Sequence, residues 1–320
     1  MKKRQIISAS RRTDIPALYG KWFMNRIEEG WGIKYNPYNK KAKIISLKPK
    51  DVDLIVFWSK NYRPFLECIE DLNKKGYNLF FHYTITGVNR KLETNIPMHK
   101  ETIETFKIIS NKFSPKHIFW RYDPIIFTRY DSFNTYLETF NNICQELEGY
   151  TERCYISFAN IYGKVFKRLK DNRISLNEAN EEIKKKLANQ LVEIAEKYNI
   201  QLYSCCNEFL INDKIQKASC IDVNLYKEIF DIEADKYKKA PSRKGCGCFE
   251  SIDIGLYDTC SYQCLYCYAN NSKNKIMKNI DLHDPFYPAL HKGIDVNAKE
   301  MLKDIPKEFN EQLSIFDIIQ

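Results

Sequence analysis

With 320 residues, of which 44% are hydrophobic and 28% charged, the chain has apolar material for one large core or two modest ones, which excludes a disordered or fibrous protein. No apolar run approaches the roughly 18 to 20 residues that span a bilayer, and the apolar stretch in MKKRQIISASRRTD is too short for a signal peptide, so a cytoplasmic protein with no membrane attachment is expected. A formal charge of +9 favours anionic partners, nucleic acid among them, although lysine-rich solvated faces such as residues 181–186 carry part of it.

Short β-branched and aromatic runs alternate with helical stretches, the pattern of repeated βα units around a parallel sheet. The first strand, QIISAS (5–10), leads to a helix near 16–29. Residues 31–48 form a small inserted hairpin, with Asn36-Pro37 and Asn39-Lys40 as turn material. DLIVFWS (53–59) precedes a helix at 62–75, LFFHYTIT (79–86) one at 98–112, and HIFWRYD (117–123) one at 131–148. CYISFAN (154–160) precedes a helix at 176–198, where Ile183, Leu187, Leu191, Ile194 and Ala195 share one face. QLYSCC (201–206) is followed by a cysteine-bearing insertion, 207–250, with a helix at 222–236. SIDIGLY (251–257) is the seventh strand, and 270–320 form a tail expected to pack on the rest. Seven parallel strands with right-handed crossovers favour a complete or partial TIM-like (β/α) barrel over residues 1–269, while periodicity leaves an open sheet as the alternative.

In a barrel, chemistry gathers at the strands' C-terminal ends. Those ends carry Ser10, Arg11, Arg12, Thr13 and Asp14; Ser59, Lys60 and Asn61; His82 and Thr84; Arg121 and Asp123; Asn160; and Cys205 with Cys206. Each alone reads equally as a hydrogen-bonded structural residue or a helix cap. Together they make a candidate site, with Lys60, His82, Arg121 and Asp123 as substrate candidates.

Of the eleven cysteines, Cys68, Cys144 and Cys154 are scattered and read as buried small hydrophobes, whereas eight fall between Cys205 and Cys267. Cys260, Cys264 and Cys267 form a C-x3-C-x2-C loop directly after SIDIGLYD. Thiolates at these separations can converge on three corners of a cubane 4Fe-4S cluster and leave the fourth iron open to a small molecule. A zinc knuckle is the alternative, and it would need a fourth tetrahedral ligand. Cys205, Cys206, Cys220, Cys246 and Cys248 exceed the four ligands of a second centre, either an auxiliary 4Fe-4S cluster or a structural zinc that pins 207–250.

The three-cysteine spacing, with Tyr266 just before the last thiol, resembles the radical SAM enzymes. There the open iron chelates S-adenosylmethionine (SAM), and one electron yields a 5′-deoxyadenosyl radical that abstracts hydrogen from substrate. The motifs SASRRTDIPA, VFWSKN, RYDPI, the CC…C…CGC segment and SIDIGLYDTCSYQCLYCYAN span nearly the whole chain. They resemble an uncharacterised bacterial family with a radical-SAM-like cysteine cluster at its C-terminal end, grouped loosely with spore photoproduct lyase and DNA-repair-type lyases. The resemblance implies a 4Fe-4S cluster and SAM as cofactors, a reductant such as flavodoxin or ferredoxin, and a nucleic-acid-derived substrate.

In radical SAM enzymes the cysteine loop follows the first barrel strand, whereas here it follows the last, which looks like a circular permutation. SIDIGLY would then stand in space for the usual first strand and QIISAS for the second. The usual second strand ends in a Gly-Gly-Glu-like segment that holds the SAM amino group. This chain has Ser8-Ala9-Ser10-Arg11-Arg12 there, so Ser10 would accept from the ammonium and Arg11 or Arg12 would pair the carboxylate, or the arginines would hold substrate phosphate. Asn160 completes the cofactor candidates. Near the end, Gln312-Leu313-Ser314-Ile315-Phe316 resembles a sliding-clamp docking peptide, although Leu313, Ile315 and Phe316 read equally as residues packing on the chain's own core or on a partner subunit. The competing function is a non-catalytic iron-sulfur or zinc protein that binds nucleic acid or transfers electrons.

Overall fold

The computed structural model describes residues 3–177 and 179–296. In chain order its elements are β1 (Gln5–Ala9), α1 (Ile15–Leu18), α2 (Gly20–Glu29), β2 (Trp31–Tyr35), β3 (Ala42–Ser46), β4 (Val52–Ser59), α3 (Leu66–Lys74), β5 (Leu79–Thr84), α4 (His99–Lys112), β6 (Ile118–Ile125), α5 (Phe133–Leu147), β7 (Arg153–Phe158), α6 (Gly163–Asp171), α7 (Glu181–Lys197), β8 (Gln201–Ser204), β9 (Ile215–Lys217), α8 (Val223–Phe230), β10 (Ile252–Asp253) and α9 (Lys273–Asp281). β2 and β3 pair antiparallel as the expected hairpin. The other eight strands form one parallel sheet in the order β10-β1-β4-β5-β6-β7-β8-β9.

Both faces of this sheet are apolar, as expected of buried parallel strands. One face contributes Ile7 and Ala9, Ile55 and Phe57, Phe81 and Tyr83, and Trp120 and Tyr122 to a core that also takes in Trp22 and Phe23 of α2, Phe106 of α4, Phe140 of α5 and Leu191 of α7. The other face contributes Ile6, Leu54, Val56, Phe80, Phe119, Tyr155 and Tyr203, and it is covered by residues 218–250 through Ile221, Leu225, Tyr226 and Tyr237. On that second face the strands change character along their length. Val56, Phe80 and Phe119 give way toward the C-terminal ends to Trp58, His82 and Arg121, and the register sets Trp58 beside His82 and Arg121 beside Thr84 and Tyr155.

The sheet is open, so a complete barrel is not formed. Closure would need β9 and β10 to meet, yet they have three and two residues and lie at opposite edges. The residues between them are spent on covering the second face. β8 stops at Ser204 because Cys206 turns the chain with φ 62°. β9 and α6 were not expected. Ile183, expected on the apolar face of α7, is exposed, whereas Leu187, Leu191 and Ala195 are buried.

Beyond the sheet, residues 282–296 return to α2. Trp22 Nε1 donates to Tyr287 O and Ala289 O at 3.0 and 3.1 Å, and Asn25 Nδ2 donates to Pro285 O at 2.8 Å. Ala289, Leu290 and Ile294 enter the main core. Gln312–Phe316, the clamp-like peptide, lies outside the described residues. No described helix is long and apolar enough to cross a membrane.

Candidate metal centres at the carboxyl edge of the sheet

Asp253, the last residue of β10, organises the first of two neighbouring sites. Its carboxylate accepts from Ser8 Oγ at 2.8 Å, Ser10 Oγ at 2.6 Å, Arg11 N at 2.9 Å and Gly255 N at 3.0 Å. A two-residue strand is too short to be held by its ladder alone, so these four bonds dock β10 on β1 and aim the cysteine loop that follows. Gly255 is needed here because a Cβ would lie 2.0 Å from Ser10 Oγ. Ser10 also accepts from Arg12 N at 2.9 Å, and Arg12 Nη1 donates to Tyr35 O at 3.0 Å, so both side chains have partners within the protein. Asn160 is exposed in the turn after β7.

Arg11 stands between the two cysteine groups. Its guanidinium lies 3.8 Å from Asp253 and over the Trp58 ring, and its carbonyl accepts from Tyr268 Oη at 2.6 Å, next to Cys267. Burial would lower its pKa, but Asp253, then Cys248 and Cys220 of the second group, raise it overall.

The loop bearing Cys260, Cys264 and Cys267 is held by its carbonyls. Arg168 of α6 donates to Cys264 O, Leu265 O and Cys267 O at 3.1–3.2 Å and to Asn270 O at 2.6 Å. Asn270 Nδ2 donates to Cys260 O at 3.0 Å, and Tyr19 Oη donates to Thr259 O at 2.5 Å. Asp258 accepts from Asn271 Nδ2 at 2.7 Å and pairs with Lys275 of α9 at 2.8 Å. The three thiols belong to one small apolar cluster with Ile96, Tyr262, Ala17 and Tyr266. Burial pushes all three up; Cys260 is raised further by Asp14, Cys267 and Cys264, and Cys264 by Glu93 and Cys267. A bound cation would therefore displace protons from them. Three thiols on one restrained loop suit a three-thiolate cluster by donor type. Among the described residues, however, no three Cys, His, Asp or Glu side chains surround a common point closely enough to form a ready-made cage.

Beside Cys264 lies a buried ion pair, with Lys60 Nζ 2.7 Å from Glu93, which also accepts from Thr86 Oγ1 at 3.0 Å and from Tyr266 Oη. Burial alone would raise Glu93, but the Lys60 charge and these donors hold it below the usual carboxylate range. Asp14, after β1, accepts from Ser59 Oγ at 2.7 Å and Lys60 N at 2.9 Å, and burial raises its pKa to about 6.

His82 and Arg121 belong to the second group. Arg121 pairs with Asp123 and points Nη1 at Cys220 Sγ, 3.1 Å away, while Asp123 also accepts from Ser157. His82 Nε2 lies 2.8 Å from Cys220 O, which can only accept, so Nε2 carries the proton; Nδ1 is buried without a partner. Burial pushes His82 down from 6.5 to about 4. Between those pH values only the unfolded chain binds this proton, so its contribution to stability is full above about 6.5 and is lost as pH falls to about 4. The expected loss is on the order of 3 kcal/mol. Urea midpoints measured across that interval should fall, and a His82→Gln chain should show a flatter profile.

Sequence reasoning reached the cysteines and most strand-end residues but missed Glu93, Arg168 and the organising role of Asp253. Glu93 sits in a loop without periodicity, and Arg168 is on the unexpected α6. Asp253 had a signal, because a carboxylate inside a buried parallel strand must find donors.

An open, parallel α/β sheet with two cysteine groups at its carboxyl edge defines the class of protein. The chain belongs to the family described as Domain of unknown function (DUF1848), whose sequence model matches residues 6–269. No curated protein and no solved structure matches it.

Proposed function

We propose that this chain is a radical SAM-type iron-sulfur enzyme acting on a nucleic-acid-derived substrate, its sheet a partial barrel circularly permuted relative to the usual order. The observation that carries the reading is the parallel pairing of β10 with β1, Ile252 against Ile7 and Asp253 against Ser8. It joins the chain's last strand to its first, and it sets the C-x3-C-x2-C loop beside the Ser10-Arg11 turn, where a permuted radical SAM site would need it. Bound there, a 4Fe-4S cluster with SAM would supply a 5′-deoxyadenosyl radical for hydrogen abstraction.

Cys260, Cys264 and Cys267 would hold the cluster, with Arg168 and Asn270 restraining the loop. Ser10, Arg11 and Arg12 all have partners within the protein, and Arg11, paired with Asp253 at 3.8 Å between the two cysteine groups, is the cation placed to meet a SAM carboxylate or a substrate phosphate if it exchanges that partner. Lys60 and Glu93 form a buried ion pair beside Cys264, and the Glu93 charge outweighs that of Lys60 in raising the thiol. Arg121, Asp123 and His82 lie further along the same edge and line the substrate side. The net charge of +9 suits a polyanionic substrate.

Anaerobic reconstitution with iron and sulfide, then reduction in the presence of SAM, tests the reading. It should yield 5′-deoxyadenosine. A fully loaded cluster that leaves SAM intact under strong reductant would overturn it.

A further inference from the structure

The five remaining clustered cysteines come from three separate segments, yet their side chains gather in one cluster, which in its present geometry is not a ready-made cage. Cys205 Sγ lies 3.9 Å from Cys206 Sγ and 4.0 Å from Cys220 Sγ. Cys246 and Cys248 join these three in the same buried cluster on the second face of the sheet. All five are free thiols.

The backbone is built to bring these segments together. Cys206 adopts φ 62°, turning its side chain toward the 246–248 hairpin. Gly245 has φ +76°, and a Cβ there would lie 3.3 Å from Cys206 Cα; at Gly247 a Cβ would lie 2.9 Å from Ala218 O. Only glycine lets the C-G-C segment approach so closely. Ser219 Oγ donates to Gly247 O at 2.9 Å, and Phe249 N donates to Ile221 O at 3.1 Å, stitching the hairpin to the segment after β9 that carries Cys220.

We infer that this cluster is a second metal site that closes on binding, taking one thiophilic divalent ion, zinc in the first instance, through four of the five thiolates. Zinc–sulfur bonds of about 2.3 Å at tetrahedral angles place neighbouring sulfurs about 3.8 Å apart. The 3.9 and 4.0 Å contacts need only a small inward movement to reach that spacing. A cubane, in which each thiolate sits on its own iron, spreads its sulfurs more widely. Charge agrees. Four thiolates around a divalent ion leave two negative charges, and two guanidiniums face the cluster: Arg121 Nη1 at 3.1 Å from Cys220 Sγ and Arg243 Nη2 at 3.9 Å from Cys205 Sγ. Loading releases one proton from each protonated ligand and transfers no electrons. The ion would fasten the 218–250 layer to the end of β8 and so fix Arg121 and His82.

The test uses the full chain with Cys260, Cys264 and Cys267 all changed to alanine, so it does not depend on the radical SAM reading. Titration with cobalt(II) under anaerobic, reducing conditions should give one equivalent of a species with tetrahedral d–d bands and a thiolate-to-cobalt charge-transfer band, which one equivalent of zinc displaces. Cys246→Ser with Cys248→Ser leaves three thiols and should weaken zinc binding more than about 100-fold. Should that variant misfold, the spectrum of the chain retaining all five thiols still decides. An octahedral cobalt spectrum, no stoichiometric binding, or a four-iron sulfide cluster assembling on these five thiols would overturn the inference.

Discussion

Cys264→Ala is expected to reduce 5′-deoxyadenosine formation by more than about 100-fold while leaving a folded chain. The Cys264 thiol is buried among Ile96, Tyr262 and the other two loop cysteines. On the proposed reading, losing it removes a cluster ligand and little packing. The loop's course is set by its carbonyls on Arg168 and Asn270, and alanine keeps those bonds. Iron and sulfide content per chain should fall in parallel with SAM cleavage, measured on the same anaerobic preparation. A Cys144→Ala control, in the main core and away from the loop, should keep both. If Cys264→Ala retained cleavage at the level of the unaltered chain, the assignment of that loop to the cluster would be lost.

Asp253→Ala should have the largest effect on stability of any single change at the site, about 3–5 kcal/mol, read from urea or guanidinium unfolding. The substitution strands four donors at once, the hydroxyls of Ser8 and Ser10 and the amides of Arg11 and Gly255, in surroundings that water scarcely reaches. It also leaves Arg11 without its carboxylate at 3.8 Å. Because β10 has two residues, the damage should spread to the loop it launches. Amide exchange in 254–270 should therefore accelerate far more than in the central strands β4 to β6. Asp253→Asn keeps one acceptor oxygen and should recover part of the loss. Equal exchange rates throughout the sheet would show that the loop is held independently of this carboxylate.

Beyond the site, the rhythm of the sheet was readable from local pattern alone. Runs such as DLIVFWS and LFFHYTIT are apolar on both faces because helices cover one side and residues 218–250 the other, and a doubly buried parallel strand cannot conceal that composition. The hairpin at 31–48 was equally legible, since its turn residues are adjacent in sequence. β9 was not. A three-residue strand is decided by the neighbour it pairs with; α6 was legible in principle, since Val165 and Leu169 stand four apart on one face of a nine-residue helix, and its shortness hid it. Openness of the sheet was likewise out of reach, because it turns on whether two very short edge strands meet.

The same division holds for the chemistry. Cys260, Cys264 and Cys267 are close in sequence, so their spacing by itself determined that they share a loop. For Cys205, Cys206, Cys220, Cys246 and Cys248 the sequence determined only that thiols were plentiful. Which of them face one another was decided by the tertiary structure, through the turn at Cys206 and the close approach of Gly245 and Gly247 to neighbouring backbone. Glu93 and Lys60, 33 residues apart in sequence, became a pair in the same way. Short-range patterns record what the backbone must do locally, whereas partners far apart in sequence are chosen by packing, which no single segment carries.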